Sequence, residues 1–186
     1  LKVSLNTEKK EEIDQKFKDL KDMGFSYCQL DCWNRDLFTP GCAEYVNQAQ
    51  EKYGVEVTGF WCGWPGPARW NFTEGPVTLG LVPEVYQFER MQMLRAGSAF
   101  AEKIKVDKVI THVGFIPENP NNPGYKKVVE AVKYAAQSCE ERNQYFLFET
   151  GQETPVTLLR AIQDIGLTNL GINLDPANLL MYGKAN

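Results

Sequence analysis

Six short apolar runs alternate with stretches of helical period along the whole chain, and this alternation narrows the available folds more than any other feature. The runs fall at residues 1–6, 25–31, 55–61, 108–113, 144–149 and 169–175, each six or seven residues long. That length, with flanking turn residues, suits a strand better than a helix. The segments between them carry explicit helix punctuation. Thr39-Pro40, Asn122-Pro123 and Thr154-Pro155 each place a capping side chain before a proline that fits the first helical turn. Gly54 and Gly166 stand where two of these helices should stop, and Val82-Pro83-Glu84 opens a long helix reaching about residue 105. Strand and helix in strict alternation imply a parallel sheet with right-handed crossovers.

Two parallel architectures compete. A doubly wound nucleotide-binding sheet needs a glycine-rich turn after its first strand, and here that turn is Asn6-Thr7-Glu8-Lys9-Lys10. The (β/α)8 TIM barrel fits better. Six units in 186 residues give 31 residues per unit, and eight such units come to about 248, close to the usual barrel size. The chain reads as a single domain, residues 1–186, holding about six βα units of a barrel truncated on its C-terminal side. It starts at Leu1 already in strand-like sequence and stops at Asn186 without a terminal cap.

Composition removes several classes of partner. Net charge is −4, from 20 Lys+Arg against 24 Asp+Glu, with no basic stripe to follow a phosphate backbone, so nucleic acid is not expected. No apolar run approaches the roughly 18 residues that span a bilayer, so no membrane partner is expected either. The five cysteines form no C-x-x-C pair, which argues against a disulfide framework or a four-cysteine zinc site and for a cytoplasmic protein.

Barrel chemistry sits at the C-terminal ends of the strands. In this chain those ends read Asn6, Gln29/Asp31, Trp61, His112, Glu149 and Asp175. In the fifth run Phe146 and Phe148 share one face, leaving Leu147 and Glu149 to point inward. In the sixth, Leu170, Ile172 and Leu174 suit the helical layer, leaving Gly171, Asn173 and Asp175 inside. Two inward carboxylates on neighbouring strands repel each other, and a divalent cation is the usual remedy. The plainer readings are a solvated strand end for Glu149 and a helix or turn cap before Pro176 for Asp175. His112, the sole histidine, reads as a substrate hydrogen-bonding group, a buried structural residue or a metal ligand. Trp61, Trp64 and Trp70 belong to the third strand end and the long 62–82 segment, and Trp33 follows the second strand on the same side. Such rings either stack on a sugar or pack the loop onto the barrel.

The residues FLFETGQETPVTLL around Glu149 and GINLDPANLLMYGKAN around Asp175 resemble the fifth- and sixth-strand motifs of the xylose isomerase-like TIM barrels. This superfamily contains sugar phosphate isomerases/epimerases, ketose 3-epimerases, hydroxypyruvate isomerase, inosose dehydratase and endonuclease IV. The THVGF run at His112 is similar to its fourth-strand motif, and the first three strands match loosely. The resemblance implies one divalent metal (Mn, Mg, Zn or Co) held by Glu149 and Asp175, with a histidine and a glutamate on two further strands past Asn186. It implies a metal-dependent isomerase or epimerase of a sugar or sugar phosphate, in which Glu149 moves the proton next to a carbonyl through an enediolate. An inosose-type dehydratase at the same site and a non-catalytic carbohydrate-binding barrel are the alternatives. Asn178 stands where endonuclease IV and the ketose 3-epimerases carry a histidine, which argues against a trinuclear zinc site and against the substrate class of the ketose 3-epimerases. His112, Trp61, Trp33, Asn178 and Glu153 are expected to contact a small carbohydrate, and Lys184 and Arg69 read either as solvated surface residues or as phosphate ligands. Barrels of this kind commonly form homo-oligomers; no interface is legible in this sequence.

Overall fold

The computed structural model describes residues 1–184. Its elements run β1 (Lys2–Ser4), α1 (Lys10–Asp22), β2 (Tyr27–Cys32), α2 (Pro40–Tyr53), β3 (Glu56–Cys62), α3 (Glu84–Lys103), β4 (Lys108–Thr111), α4 (Pro123–Glu140), β5 (Tyr145–Glu149), α5 (Pro155–Ile165), β6 (Leu170–Asn173) and α6 (Pro176–Met181). All six strands pair in parallel and in sequence order, β1-β2-β3-β4-β5-β6. A doubly wound sheet would reverse its strand order at a switch point. This one does not; it is six consecutive units of a barrel wall.

The helix boundaries follow from the punctuation in the sequence. Thr39 accepts a hydrogen bond from the Cys42 N–H at 3.1 Å, Asn122 from Gly124 at 2.8 Å and Thr154 from Thr157 at 3.3 Å, and each precedes a proline at the first helical position. Gly54 and Gly166 close α2 and α5 with φ of 63° and 70°, a left-handed conformation that glycine adopts without steric cost.

The large core lies between sheet and helices, where Phe146 and Phe148 of β5 are fully buried with Phe60, Leu30 and Phe100. A smaller cluster fills the concave side: Trp61, Trp64, Leu79 and Ile110, with Leu147 against it. Glycine makes room for it. A Cβ on Gly59 would stand 2.7 Å from Ile110, and one on Gly171 2.6 Å from Leu147, so neither position accepts a side chain without displacing a neighbour.

The sixth strand departs from expectation. It ends at Asn173, and Asp175 lies outside it as the N-cap of α6, its side chain accepting from Asn178 N–H at 3.1 Å. Pro176 starts the helix there, and the cap takes precedence over continued strand alternation. Nor do Ile172 and Leu174 enter a helical layer; they are 50% and 66% exposed. Among the described residues β6 pairs only with β5, and only the six-residue α6 follows it. All five cysteines are buried and unpaired. No described helix is long and apolar enough to cross a membrane.

Candidate active site

Register determines which side chains meet. Trp61 pairs with Ile110, Ile110 with Leu147, and Glu149 with Asn173, so inward residues of β3 to β6 share one concave surface. At its C-terminal end a cleft of about 290 Å³ is lined by Asp31, Trp33, Trp61, Trp70, His112 and Glu149, and by Asp175, Asn178, Met181 and Lys2. A second groove of about 400 Å³ shares Lys2, Glu149 and Asp175 and extends past Gln29 and Thr58 on the concave face.

Glu149 is buried, and Asn173 Nδ2 donates to its Oε2. Gln29 Nε2 in turn donates to Asn173 Oδ1 at 2.7 Å, so a chain of hydrogen bonds runs from β2 across to β5 and fixes the orientation of the Asn173 amide. Burial raises the affinity of the Glu149 carboxyl for a proton, and the Asp175 charge adds to that. The Asn173 bond and the Lys2 ammonium oppose it. The Trp61 indole nitrogen also lies near enough to favour the charged form, although it makes no hydrogen bond.

Asp175 reaches the same cleft because α6 docks on the turn after β5. Its N–H donates to Thr150 Oγ1 at 2.8 Å, and Asn178 Nδ2 donates to the Thr150 carbonyl at 3.0 Å. Gly151 permits the approach, since a Cβ there would stand 2.5 Å from Asn178 Cβ and 2.6 Å from its backbone carbon. The capping reading of Asp175 is therefore satisfied by Oδ1, and the residue lines the cleft as well.

His112 is buried and its Nδ1 lies 3.0 Å from Gln152 Oε1. With the Gln152 amide in this orientation its oxygen accepts from Nδ1–H, the tautomer that leaves Nε2 as the ring's acceptor. Burial lowers its pKa to about 4, outweighing the Gln152 bond, so the ring is neutral at physiological pH. Trp61 and Trp70 pack edge-on around it, with ring centroids at 5.6 and 4.9 Å. Trp33 stands against Trp61 and Trp64 at 5.2 and 5.0 Å, and its ring occupies the space a Cβ on Gly63 would need.

Glu149, Asp175, His112, Trp61, Trp33 and Asn178 thus meet in one cleft. Glu153 does not line it; this carboxyl is buried behind the turn, and desolvation pushes its pKa to about 7. Lys184 is ion-paired to Glu118 at 2.7 Å, and Arg69 is also absent from the lining. Lys2 and Met181 in the lining, and Gln152 behind His112, are residues the sequence pattern did not single out. The Lys2 ammonium lies 4.5 Å from the Trp61 ring centroid, and the cue was alternation in β1, where Lys2 pairs with the inward Gln29.

Two carboxylates are the donor type a hard divalent cation prefers. Glu149 offers Oε1 beyond its Asn173 bond, and Asp175 offers the oxygen not used in capping. No group of three His, Cys, Asp or Glu side chains suited to a metal forms among the described residues. The pair therefore fits as part of a ligand set, not as a whole one.

The chain belongs to the xylose isomerase-like TIM barrel family, which it matches over residues 17–186. A xylose isomerase domain protein from Planctomyces limnophilus is similar at 28% identity and a TM-score of 0.87, over 91% of this chain and 61% of that one. The chain thus spans about three-fifths of that protein's length. The Escherichia coli 3-keto-D-glucoside 4-epimerase YcjR shares the fold at 16% identity and TM-score 0.64, covering 92% of this chain and 69% of that one. An L-ribulose 3-epimerase does so at 15% and 0.68, covering 97% and 62%. No curated protein matches the sequence.

Proposed function

We propose that this chain forms most of the active site of a divalent-metal-dependent isomerase or epimerase acting on a sugar or sugar phosphate, by proton transfer next to a carbonyl. The observation carrying this reading is that Glu149 and Asp175 share one cleft whose lining also includes Trp33, Trp61, Trp70 and a neutral histidine, with Asp31 and Lys2 beside them. The structural relatives include epimerases of D-psicose and L-ribulose.

Each residue has a role its environment supports. Asn173 orients the Glu149 carboxylate through one lone pair of Oε2, and the remaining lone pairs on the two oxygens are left to hold a cation and to take a proton from carbon. A carboxylate held in place beside a carbonyl can both accept a proton and return it. The tryptophan rings offer apolar faces for a sugar ring and exclude water from the transfer. His112 Nε2 and the unpartnered Trp61 N–H supply one acceptor and one donor for hydroxyl groups. A divalent cation, when bound by Glu149 and Asp175, would place positive charge beside the substrate oxygens on which negative charge develops.

The test is solvent-deuterium exchange into a ketose such as D-psicose. Exchange that requires Mn²⁺ or Mg²⁺ and falls by roughly a thousandfold in Glu149→Gln is the expected result; unchanged exchange in that variant sinks the reading. Release of water from an inositol-derived ketone would instead identify a dehydratase. The aromatic wall also favours a purely carbohydrate-binding barrel, which would hold its sugar equally well with and without EDTA in calorimetry.

A further inference from the structure

The 62–82 loop carries two of the four clustered tryptophans but little regular structure to hold them. Its Pro65 and Pro67 have no N–H, while the carbonyls of a folded loop still need donors. Arg90 of α3 supplies them. Its Nε donates to Pro65 O at 3.2 Å, Nη2 to Pro67 O at 2.9 Å, and Nη1 to Thr78 O at 2.8 Å and Gly80 O at 2.7 Å. Four of the five guanidinium N–H groups are thus spent on loop carbonyls.

This residue is fully buried, and none of its recorded partners is a carboxylate. Burying a charge without a counterion is costly unless dipoles replace the lost water. Desolvation lowers its pKa only to about 10, so it stays cationic at neutral pH. The guanidinium also lies against Tyr86 and Trp64, 4.6 and 5.4 Å from their ring centroids. Trp64 in turn packs on Trp33 and Trp70, which line the cleft. A methionine could fill similar space on α3 but would donate to none of the four loop carbonyls.

We infer that Arg90 is a positioning residue: from outside the cleft it fixes the 62–82 loop and, through Trp64, sets where Trp70 and Trp33 stand. The consequence for substrate binding rests on the carbohydrate reading above; the anchoring of the loop does not.

Trypsin reports the anchoring directly, because Arg69 lies in the loop. In the intact protein, Arg90→Lys and Arg90→Met are expected to speed cleavage after Arg69 by about tenfold or more, through more frequent local opening, while the other sites stay protected. Millimolar guanidinium should restore resistance in Arg90→Ala, which a general packing role would not allow. Unchanged cleavage after Arg69, or cleavage throughout the chain in Arg90→Lys, overturns the inference. With D-psicose and Mn²⁺, Arg90→Lys should raise KM by roughly fivefold or more and leave kcat within about twofold. If the parent protein catalyses no exchange, the catalytic reading fails and the trypsin result still decides the role of Arg90.

Discussion

Glu153 and His112 are both buried beside the cleft, and burial shifts their proton affinities in opposite directions. Glu153 has a folded pKa of about 7, above the ordinary carboxyl value, so the stability it contributes is complete below about pH 4.5 and is lost as pH rises through 7. His112, lowered to about 4, contributes stability that is present above about pH 6.5 and is lost as pH falls towards 4. Removing the carboxylate therefore has a predictable sign. Glu153→Gln should raise the unfolding free energy at pH 8 by on the order of 2 kcal/mol and change it little at pH 4.5. Urea titrations of both proteins at the two pH values check this, and equal effects at both would show that the buried charge is not responsible. The sequence motif placed Glu153 near the site but could not show that its side chain turns away from the cleft. The meeting of His112 with Gln152, or of Lys2 with Trp61, was equally out of reach, since each pair is brought together by sheet register over at least 40 residues of chain.

Helix starts were legible because their signals are local. Thr39-Pro40, Asn122-Pro123 and Thr154-Pro155 cap where adjacent residues say they should. The end of β6 was not, because Leu170, Ile172 and Leu174 continue a strand alternation into a residue that serves as a helix cap. The junction of the turn after β5 with α6 is tightly packed as well. Gly151 has no left-handed φ to demand glycine; the requirement comes from Asn178, whose backbone carbon and oxygen stand 2.6 and 2.9 Å from a Cβ placed there. Backbone cannot move aside as a flexible side chain can, so Gly151→Ala must displace the start of α6, at a cost of roughly 1–3 kcal/mol. Asp175 moves with it. Mn²⁺ affinity, measured by calorimetry, should fall in this variant even where circular dichroism shows the helices retained. A variant binding Mn²⁺ like the parent would mean that α6 does not hold Asp175 in a metal site.

Six sequential parallel strands were expected from unit length and alternation, and they form a wall with two open ends, β1 and β6. Each end strand has one partner among the described residues, leaving a row of backbone donors and acceptors unpaired. Side chains around β6 make this edge adhesive: Ile172, Leu174, Leu180 and Met181 are each at least half exposed, as is Tyr27 on the concave side. Net charge of −4 spread over 186 residues offers little repulsion against such contact. A polypeptide of these 186 residues alone is therefore expected to self-associate, with an apparent mass in sedimentation that rises with concentration. Charged residues on the apolar edge should oppose it, so Ile172→Lys together with Leu174→Glu should shift the distribution towards the 21.1 kDa monomer. Replacing Val85 and Phe88, exposed on the opposite layer in α3, should leave it unchanged. Association that persists in the β6 variant and disappears in the α3 variant would move the contact from the sheet edge to the helical face.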